Sequence, residues 1–123
     1  MPKPDTNPLL HLVSACTYSW KGLLAALRYE HAFRQELIVA LAAIPLGFYL
    51  GDGMAEKMLL AGSWIVVMIV ELLNSALEAV VDLVSPDYHL LAGRAKDLGS
   101  AAVMLALVLA GLSWVMILLG HVS

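Results

Sequence analysis

The sequence has few cysteines and few charged residues. Cys16 is the single cysteine, which excludes a disulfide framework and a cysteine-based metal site. Only 14% of the residues are charged, and the net charge of −3 offers no basic surface for nucleic acid, so no nucleic-acid partner is expected. The opening stretch "MPKPDTNPLL" lacks an apolar h-region near its start, and we expect that it is not a signal peptide.

Apolar residues are abundant instead. They make up 61% of the chain, with a mean hydropathy of +0.84, whereas a soluble domain is about half apolar. Long apolar runs predict transmembrane helices over 31–50, 54–84 and 99–119. We therefore predict an all-α, single-domain membrane protein over residues 1–123.

A shorter amphipathic helix is predicted over 9–29, ahead of the first apolar run. Asn7 and Pro8 form an N-cap followed by a proline at the first helical position. The segment is too polar to span a bilayer, and Tyr18 and Trp20 suit the depth of the lipid headgroups. We expect this helix to lie on the membrane surface.

Basic residues predict the orientation. Six of the seven lysines and arginines fall on one side of the predicted spans, and Lys57 alone falls on the other. The six are Lys3, Lys21, Arg28, Arg34, Arg94 and Lys96. Because basic loops stay in the cytoplasm, we expect a multi-pass membrane protein whose basic side is cytoplasmic. Its N-terminus and a loop over 85–98 would be cytoplasmic, and its C-terminus would lie outside.

The stretch "ELLNSALEAVVDLV", residues 71–84, carries polar side chains inside an apolar segment. At 100° per residue, these side chains share a stripe about 100° wide. The stripe consists of Glu71, Asn74, Ser75, Glu78 and Asp82. Asn74 and Ser75 are also compatible with simple helix–helix contacts, and Asp82 with an interfacial charge. Two carboxylates inside a membrane helix indicate nearby cations, protons or a substrate.

Two further polar clusters, "RYEHAFRQE" and "SPDYHLLAGRAKDLGS", lie on the predicted cytoplasmic side. Each alone is compatible with a solvated surface near the membrane. Acids that hold Mg²⁺ beside bases that hold phosphate are what phosphoryl transfer requires. No Walker A pattern, kinase glycine-rich loop or H-R-D motif is present. The spacing by itself supports a small membrane protein with a polar intramembrane site.

At "MIVELLNSALEAVVDLV" and "DYHLLAGRAKDLGSAAV" the chain resembles the small integral-membrane diacylglycerol kinases of Gram-negative bacteria. The resemblance extends over about residues 9–121 and includes "TYSWKGLLAALRYEHAFRQE". It implies an ATP-dependent lipid kinase that works as a homotrimer, with composite sites between subunits. Undecaprenol kinases share the fold and much of the motif, so another lipid alcohol is an alternative substrate.

The resemblance also implies roles for individual residues. Glu71 matches the general base and Asn74 a polar catalytic position, while Glu30 and Glu78 match the ligands of the ATP-bound Mg²⁺. The ATP-contacting positions are Tyr18, Glu30, Glu78, Asp87, Tyr88, His89, Lys96 and Asp97. The lipid-contacting positions, besides Glu71, are Ala15, Ser19, Trp20, Leu24, Ala32, Arg34, Gln35, Glu36 and Ser100.

Rows of small residues are expected to support subunit assembly, since small side chains allow membrane helices to approach closely. They are Ala43, Gly47 and Gly51 in the first span and Ala102, Ala106 and Ala110 in the third. A small multidrug-type transporter is the alternative from another functional class. Such proteins usually have four spans and need no basic cluster for phosphate, so the sequence favours the kinase.

Overall fold

Four α-helices account for most of residues 7–123, the part of the chain that the computed structural model describes. They are α1 (Pro8–Tyr29), α2 (His31–Leu50), α3 (Gly53–Val84) and α4 (Leu90–Val122). This part of the chain contains no β-strand. The all-α prediction is therefore confirmed. Lys3, which was used above to predict the orientation, lies outside the described residues.

The start of α1 follows the predicted capping chemistry. The Asn7 side chain accepts a hydrogen bond from the backbone N–H of Leu9 at 3.0 Å, and Pro8 occupies the first turn. At the other end, Arg34 of α2 donates to the carbonyl oxygens of Leu27 and Arg28 at 3.0 and 3.1 Å. These carbonyls have no partner within α1 because they belong to its last turn. Arg34 thus fixes the junction between α1 and α2.

The prediction of a loop over 85–98 is wrong. α4 begins at Leu90, so the connection from α3 spans only 85–89, and the 99–119 span is part of a longer helix. The His89 side chain accepts a hydrogen bond from the N–H of Leu91 at 3.0 Å and caps the new helix. Leucines and alanines after the cap favour helix, and no proline interrupts them. As a result, Arg94, Lys96 and Asp97 lie on α4.

α3 is the central helix and packs along both α2 and α4. A Cβ on Gly47 of α2 would lie only 2.8 Å from the Cβ of Leu60, so this glycine permits close contact of α2 with α3. On the opposite side, the indole Nε1–H of Trp114 donates to the carbonyl oxygen of Leu60 at 3.0 Å. Leu60 and Val67 are fully buried between the helices.

The rows of small residues serve a different purpose from the one predicted. Ala43 and Gly47 are buried within the single chain, and Gly51 lies against Lys57 at the start of α3. Ala106 and Ala110 pack with Val67 in the core cluster. The prediction that these rows support subunit assembly is wrong for these positions, because the small side chains are needed to bring α2 and α4 against α3. Ala102 remains exposed.

Three helices, α2, α3 and α4, are long and apolar enough to cross a membrane. α2 matches the predicted 31–50 span, and α3 starts one residue before the predicted 54–84 span. The 20 residues of α2 rise about 30 Å, the thickness of a hydrocarbon core. The chain is a multi-pass membrane protein, as the hydropathy pattern predicts.

Candidate functional site

The polar stripe of α3 changes steadily in exposure along the helix. Glu71 is only 6% exposed, the side chains of Asn74 and Glu78 are half-buried, and Asp82 is exposed at the end near the 85–89 connection. Ser75 is half-buried as well. The stripe therefore leads from a buried carboxylate to an open end.

Glu71 faces a second acid that comes from α2. The carboxyl group of Glu36 lies within hydrogen-bonding reach of the Glu71 carboxyl group and interacts with it electrostatically. Ionised carboxylates are acceptors only, and in that form the two groups make no hydrogen bond with each other. Oε2 of Glu36 is buried and has no partner among the described residues. The two acids are thus brought together across the α2–α3 contact.

Asn74 and Glu78 form the next layer of the stripe, one helical turn apart. Nδ2 of Asn74 donates a long hydrogen bond of 3.5 Å to Oε1 of Glu78. Oδ1 of Asn74 is buried without a partner in the described structure. This amide faces Gly99 of α4, where any side chain would overlap it. The Asn74 amide and the Glu78 carboxylate therefore lie side by side, and their oxygens can still accept hydrogen bonds.

Lys96 of α4 places a positive charge at the open end of the stripe. Nζ of Lys96 lies 2.6 Å from Oδ1 of Asp82, and Lys96 also interacts electrostatically with Glu78. The Lys96 side chain is 42% exposed, so its remaining N–H donors can reach a ligand in solvent. The lysine and the two acids stand where α3 and α4 lie side by side.

A small cleft of about 140 Å³ lies between the end of α3 and the start of α4. Four residues assigned to nucleotide by the resemblance line it, together with Asp82 and Ser85. They are Asp87, Tyr88, His89 and Lys96. The Ser85 hydroxyl donates to the carbonyl oxygen of Asp87 at 2.8 Å and shapes this turn. The structure therefore brings half of the predicted ATP-contacting set to one place.

The other members of that set lie elsewhere in the single chain. Glu30, at the α1–α2 junction, lines a cleft of about 560 Å³ between α1 and α3, with Ser19, Tyr29 and Ser75. Tyr18 is exposed on α1, where Nζ of Lys21 lies 5.8 Å from its ring centre. Asp97 is exposed on α4. Within one chain, Glu78 does not line the cleft that contains Glu30.

The predicted lipid-contacting residues lie mainly on exposed surface. Ser19 lines the α1–α3 cleft, and Leu24 lines a neighbouring cleft of about 340 Å³ with Lys21 and Arg28. Arg34 is committed to the carbonyls that end α1. Glu36 is half-buried against Glu71. The remaining positions are exposed: Ala15, Trp20, Ala32, Gln35 and Ser100.

The described residues contain no group of three or more histidine, cysteine, aspartate or glutamate side chains placed to hold a metal ion. This is compatible with Mg²⁺ that arrives with a nucleotide, because such Mg²⁺ keeps several waters and uses one or two carboxylates plus phosphate oxygens. The Glu78 carboxylate and the unpartnered Oδ1 of Asn74 are hard oxygen donors of the required kind. The residues present therefore fit a magnesium–nucleotide complex.

Three features of this site were not predicted from the sequence, the first being the pairing of Glu36 with Glu71. Gly99 was seen only as a residue of the motif, whereas in the structure it makes room for the Asn74 amide. The pairing of Asp82 with Lys96 was missed because Lys96 was placed in a loop. The pair joins two different helices, so the spacing of residues within either helix does not indicate it.

The comparison with known proteins agrees with the resemblance. The family model described as prokaryotic diacylglycerol kinase matches residues 17–118. The diacylglycerol kinase of Escherichia coli strain K12 is 46% identical over 117 residues, 95% of this chain and 96% of that protein. That of Haemophilus influenzae strain Rd is 47% identical over 109 residues, 89% and 92% of the two chains. That of Pseudomonas aeruginosa strain PAO1 is 45% identical over 112 residues, 91% of each chain.

The match begins in α1 and ends near the end of α4, so it includes both polar clusters and the whole stripe from Glu71 to Asp82. Coverage of this extent at this identity excludes a chance likeness in the apolar spans alone. The chain belongs to the prokaryotic diacylglycerol kinase family.

Proposed function

We propose that this protein transfers the γ-phosphoryl group of ATP to the free hydroxyl of diacylglycerol and forms phosphatidic acid at the cytoplasmic face of the inner membrane. Relatives that bear the name diacylglycerol kinase cover almost the whole chain. The observation that carries the mechanism is the stripe itself, in which a buried acid, Glu71, is followed by polar groups that reach a basic, open end at Lys96. In the cell this reaction would recycle diacylglycerol into phospholipid metabolism.

Glu71 is the general base of the proposal. It is buried near the middle of α3, and the hydroxyl of a membrane lipid would approach it there. As the hydroxyl oxygen attacks the γ-phosphorus, its proton passes to a carboxylate oxygen of Glu71. A positioned base of this kind contributes roughly 10²- to 10⁴-fold to the rate.

The nucleotide occupies the cytoplasmic end of the stripe. Lys96 and the side chains of the 85–89 connection line one cleft, and Lys96 offers donors to phosphate oxygens. Tyr18 and Asp97 would contact the nucleotide from α1 and α4. The separation of Glu71 from Glu78 along α3 is about 10 Å, which leaves room for a phosphoryl group between base and nucleotide.

Glu30 and Glu78 would hold the Mg²⁺ of the nucleotide, with Asn74 beside Glu78. When bound, the ion neutralises charge on the β- and γ-phosphate oxygens. Glu78 supplies a carboxylate, and its Oε1 accepts a hydrogen bond from the side-chain amide of Asn74. Glu30 lines a different cleft from the one at Lys96 in a single chain. This separation favours a site completed by a neighbouring subunit.

A homotrimer is therefore part of the proposal. Many large apolar side chains of α2 and α4 are exposed in the single chain, including Ile38, Leu105 and Met116 at 64% or more. Part of this surface would contact lipid and part would contact other subunits. The lipid would enter along α1 and the start of α2, past Ala15, Ser19, Trp20 and Leu24, with Ser100 on α4.

The proposal is tested by an assay of the purified protein in mixed micelles with radiolabelled ATP. Diacylglycerol and undecaprenol are offered side by side, since a kinase of another lipid alcohol is the alternative. We expect label to pass to diacylglycerol in a magnesium-dependent manner, and more slowly to undecaprenol. Faster labelling of undecaprenol would favour the alternative, a kinase of another lipid alcohol. Labelling of neither diacylglycerol nor undecaprenol would contradict the assignment as a lipid kinase.

A further inference from the structure

Glu36 has a relationship to the catalytic helix that contact with lipid does not explain. It lies on α2, one helical turn from the α1–α2 junction, and its carboxyl group faces that of Glu71 on α3. Its Oε2 atom is buried and unpartnered in the described structure. A solvated surface acid or a lipid-facing acid would not direct its carboxyl group to another acid in the protein interior.

Two ionised carboxylates at such close range repel each other, and burial strengthens the repulsion because water does not screen it. No cation relieves it among the described residues. Glu71 is the charged group that acts on Glu36, Arg34 is committed to the carbonyls of α1, and Lys96 pairs with Asp82. Close carboxyl pairs in enzyme sites meet this situation by sharing one proton.

We propose that Glu36 is a positioning residue that shares one proton with Glu71 and thereby holds the Glu71 carboxylate ready to accept the hydroxyl proton of the lipid. This inference rests on the proposed function of Glu71 as the base. The shared proton supplies the donor that an ionised pair lacks, so the unpartnered oxygen of Glu36 gains a partner. One oxygen of Glu71 stays free for the substrate.

The proton balance of the step follows directly. The lipid O–H bond breaks and its proton passes to the free oxygen of Glu71, while the new O–P bond forms and the bond from the γ-phosphorus to the leaving ADP oxygen breaks. The pair then holds two protons. One of them must leave to solvent before the next turnover.

Two substitutions at Glu36 separate positioning from packing and from lipid contact. Gln keeps a donor to Glu71, so Glu36→Gln should lower kcat only a few-fold at neutral pH. Glu36→Ala removes the donor and should lower kcat by about 10- to 100-fold, within the range expected when a base is poorly placed. Neither should raise KM for diacylglycerol in proportion. Equal losses of kcat in Glu36→Gln and Glu36→Ala would overturn the proposal. A change in the KM for diacylglycerol alone would also overturn it.

The pH dependence of kcat provides a second test of the shared proton. If activity needs the shared proton, wild-type kcat falls at alkaline pH when the pair loses it. Gln at position 36 cannot ionise, so Glu36→Gln should not show this fall. Glu36→Asp, which shortens the side chain but keeps the acid, should retain it. An alkaline fall of the same midpoint in wild type and in Glu36→Gln would contradict a shared proton.

Infrared spectroscopy tests the proton without any turnover. The wild-type protein in micelles at neutral pH should show a protonated-carboxyl stretching band that disappears in Glu36→Gln and in Glu71→Gln. Glu56→Gln is the matched control, because Glu56 is a glutamate at the far end of α3 that pairs with His121 and the N–H of Asp52. A band that persists in Glu36→Gln, or vanishes in the Glu56 control, would refute the assignment. Because this measurement needs no substrate, it still decides the matter if no lipid alcohol is phosphorylated.

Discussion

Gly99 of α4 lies directly against the side-chain amide of Asn74 on α3, and no Cβ can be placed on it without overlap with Oδ1 of that amide. The same amide donates to Glu78, so the contact sets the position of two polar residues of the site at once. A glycine on α4 therefore determines the geometry of a polar layer of the candidate site to which it contributes no side chain.

Gly99→Ala is expected to displace the Asn74 amide and to lower kcat by about 10-fold or more, since a shift of about 1 Å in a site is costly. Gly111→Ala is the matched control on the same helix, because nothing lies within 4 Å of a Cβ at that position. The two variants are compared in the micelle assay, with helicity measured by circular dichroism. Equal activity of both would show that the Asn74 position does not matter.

Glu71→Gln tests the base. Because the amide cannot accept the hydroxyl proton, we expect kcat to fall by roughly 10²- to 10⁴-fold. Gln has nearly the same shape, so the helical content and the thermal transition should stay close to those of the wild type. A variant that retains near wild-type kcat would place the base elsewhere.

Glu78→Ala and Glu30→Ala test the metal assignment. Removal of a carboxylate ligand should raise the Mg²⁺ concentration needed for half-maximal rate by about 10-fold or more, as even the loss of outer-shell groups costs that much. Steady-state titrations of Mg²⁺ at fixed ATP give this value, with Glu56→Gln as the control. An unchanged magnesium requirement in either variant would remove that residue from the metal site.

Complementation tests the composite site of the proposed homotrimer. Glu71→Gln keeps an intact Glu30, and Glu30→Ala keeps an intact Glu71. If one site takes its base from one subunit and Glu30 from another, a mixture of the two impaired proteins should regain partial activity after subunit exchange. Exchange is verified by co-purification through a tag on one variant. Exchange without any activity would show that both residues act within a single chain.

Trp114→Phe tests the contact between α3 and α4. The substitution removes the 3.0 Å hydrogen bond from the indole to the carbonyl oxygen of Leu60, which should lower the free energy of unfolding by about 1 kcal/mol. Trp64→Phe is the control, because Trp64 packs beside the same core cluster without a side-chain hydrogen bond. Denaturation in mixed micelles compares the two. A loss no larger than that of the control would mean that the hydrogen bond adds nothing to packing.

Composition and residue spacing were enough to predict the apolar spans and the polar stripe. Hydropathy predicted the spans because a membrane segment must satisfy its own backbone hydrogen bonds and hide few charges, so composition and length suffice. The helical period placed Glu71, Asn74, Glu78 and Asp82 on one side because 100° per residue is fixed by backbone geometry. The start of α4 was missed, since the glycines and charges at 93–99 resemble a loop until the His89 cap is seen.

Which helix supplies the partner of each polar group depends on how the helices pack and is visible only in the folded chain. Periodicity within α3 cannot reveal that Glu36 comes from α2 to meet Glu71, or that Lys96 comes from α4 to meet Asp82. It also could not show that Gly47 and Ala106 pack within one chain. These pairings depend on how close two helices approach and on their relative rotation, and both are set by side-chain packing along the full length of α3.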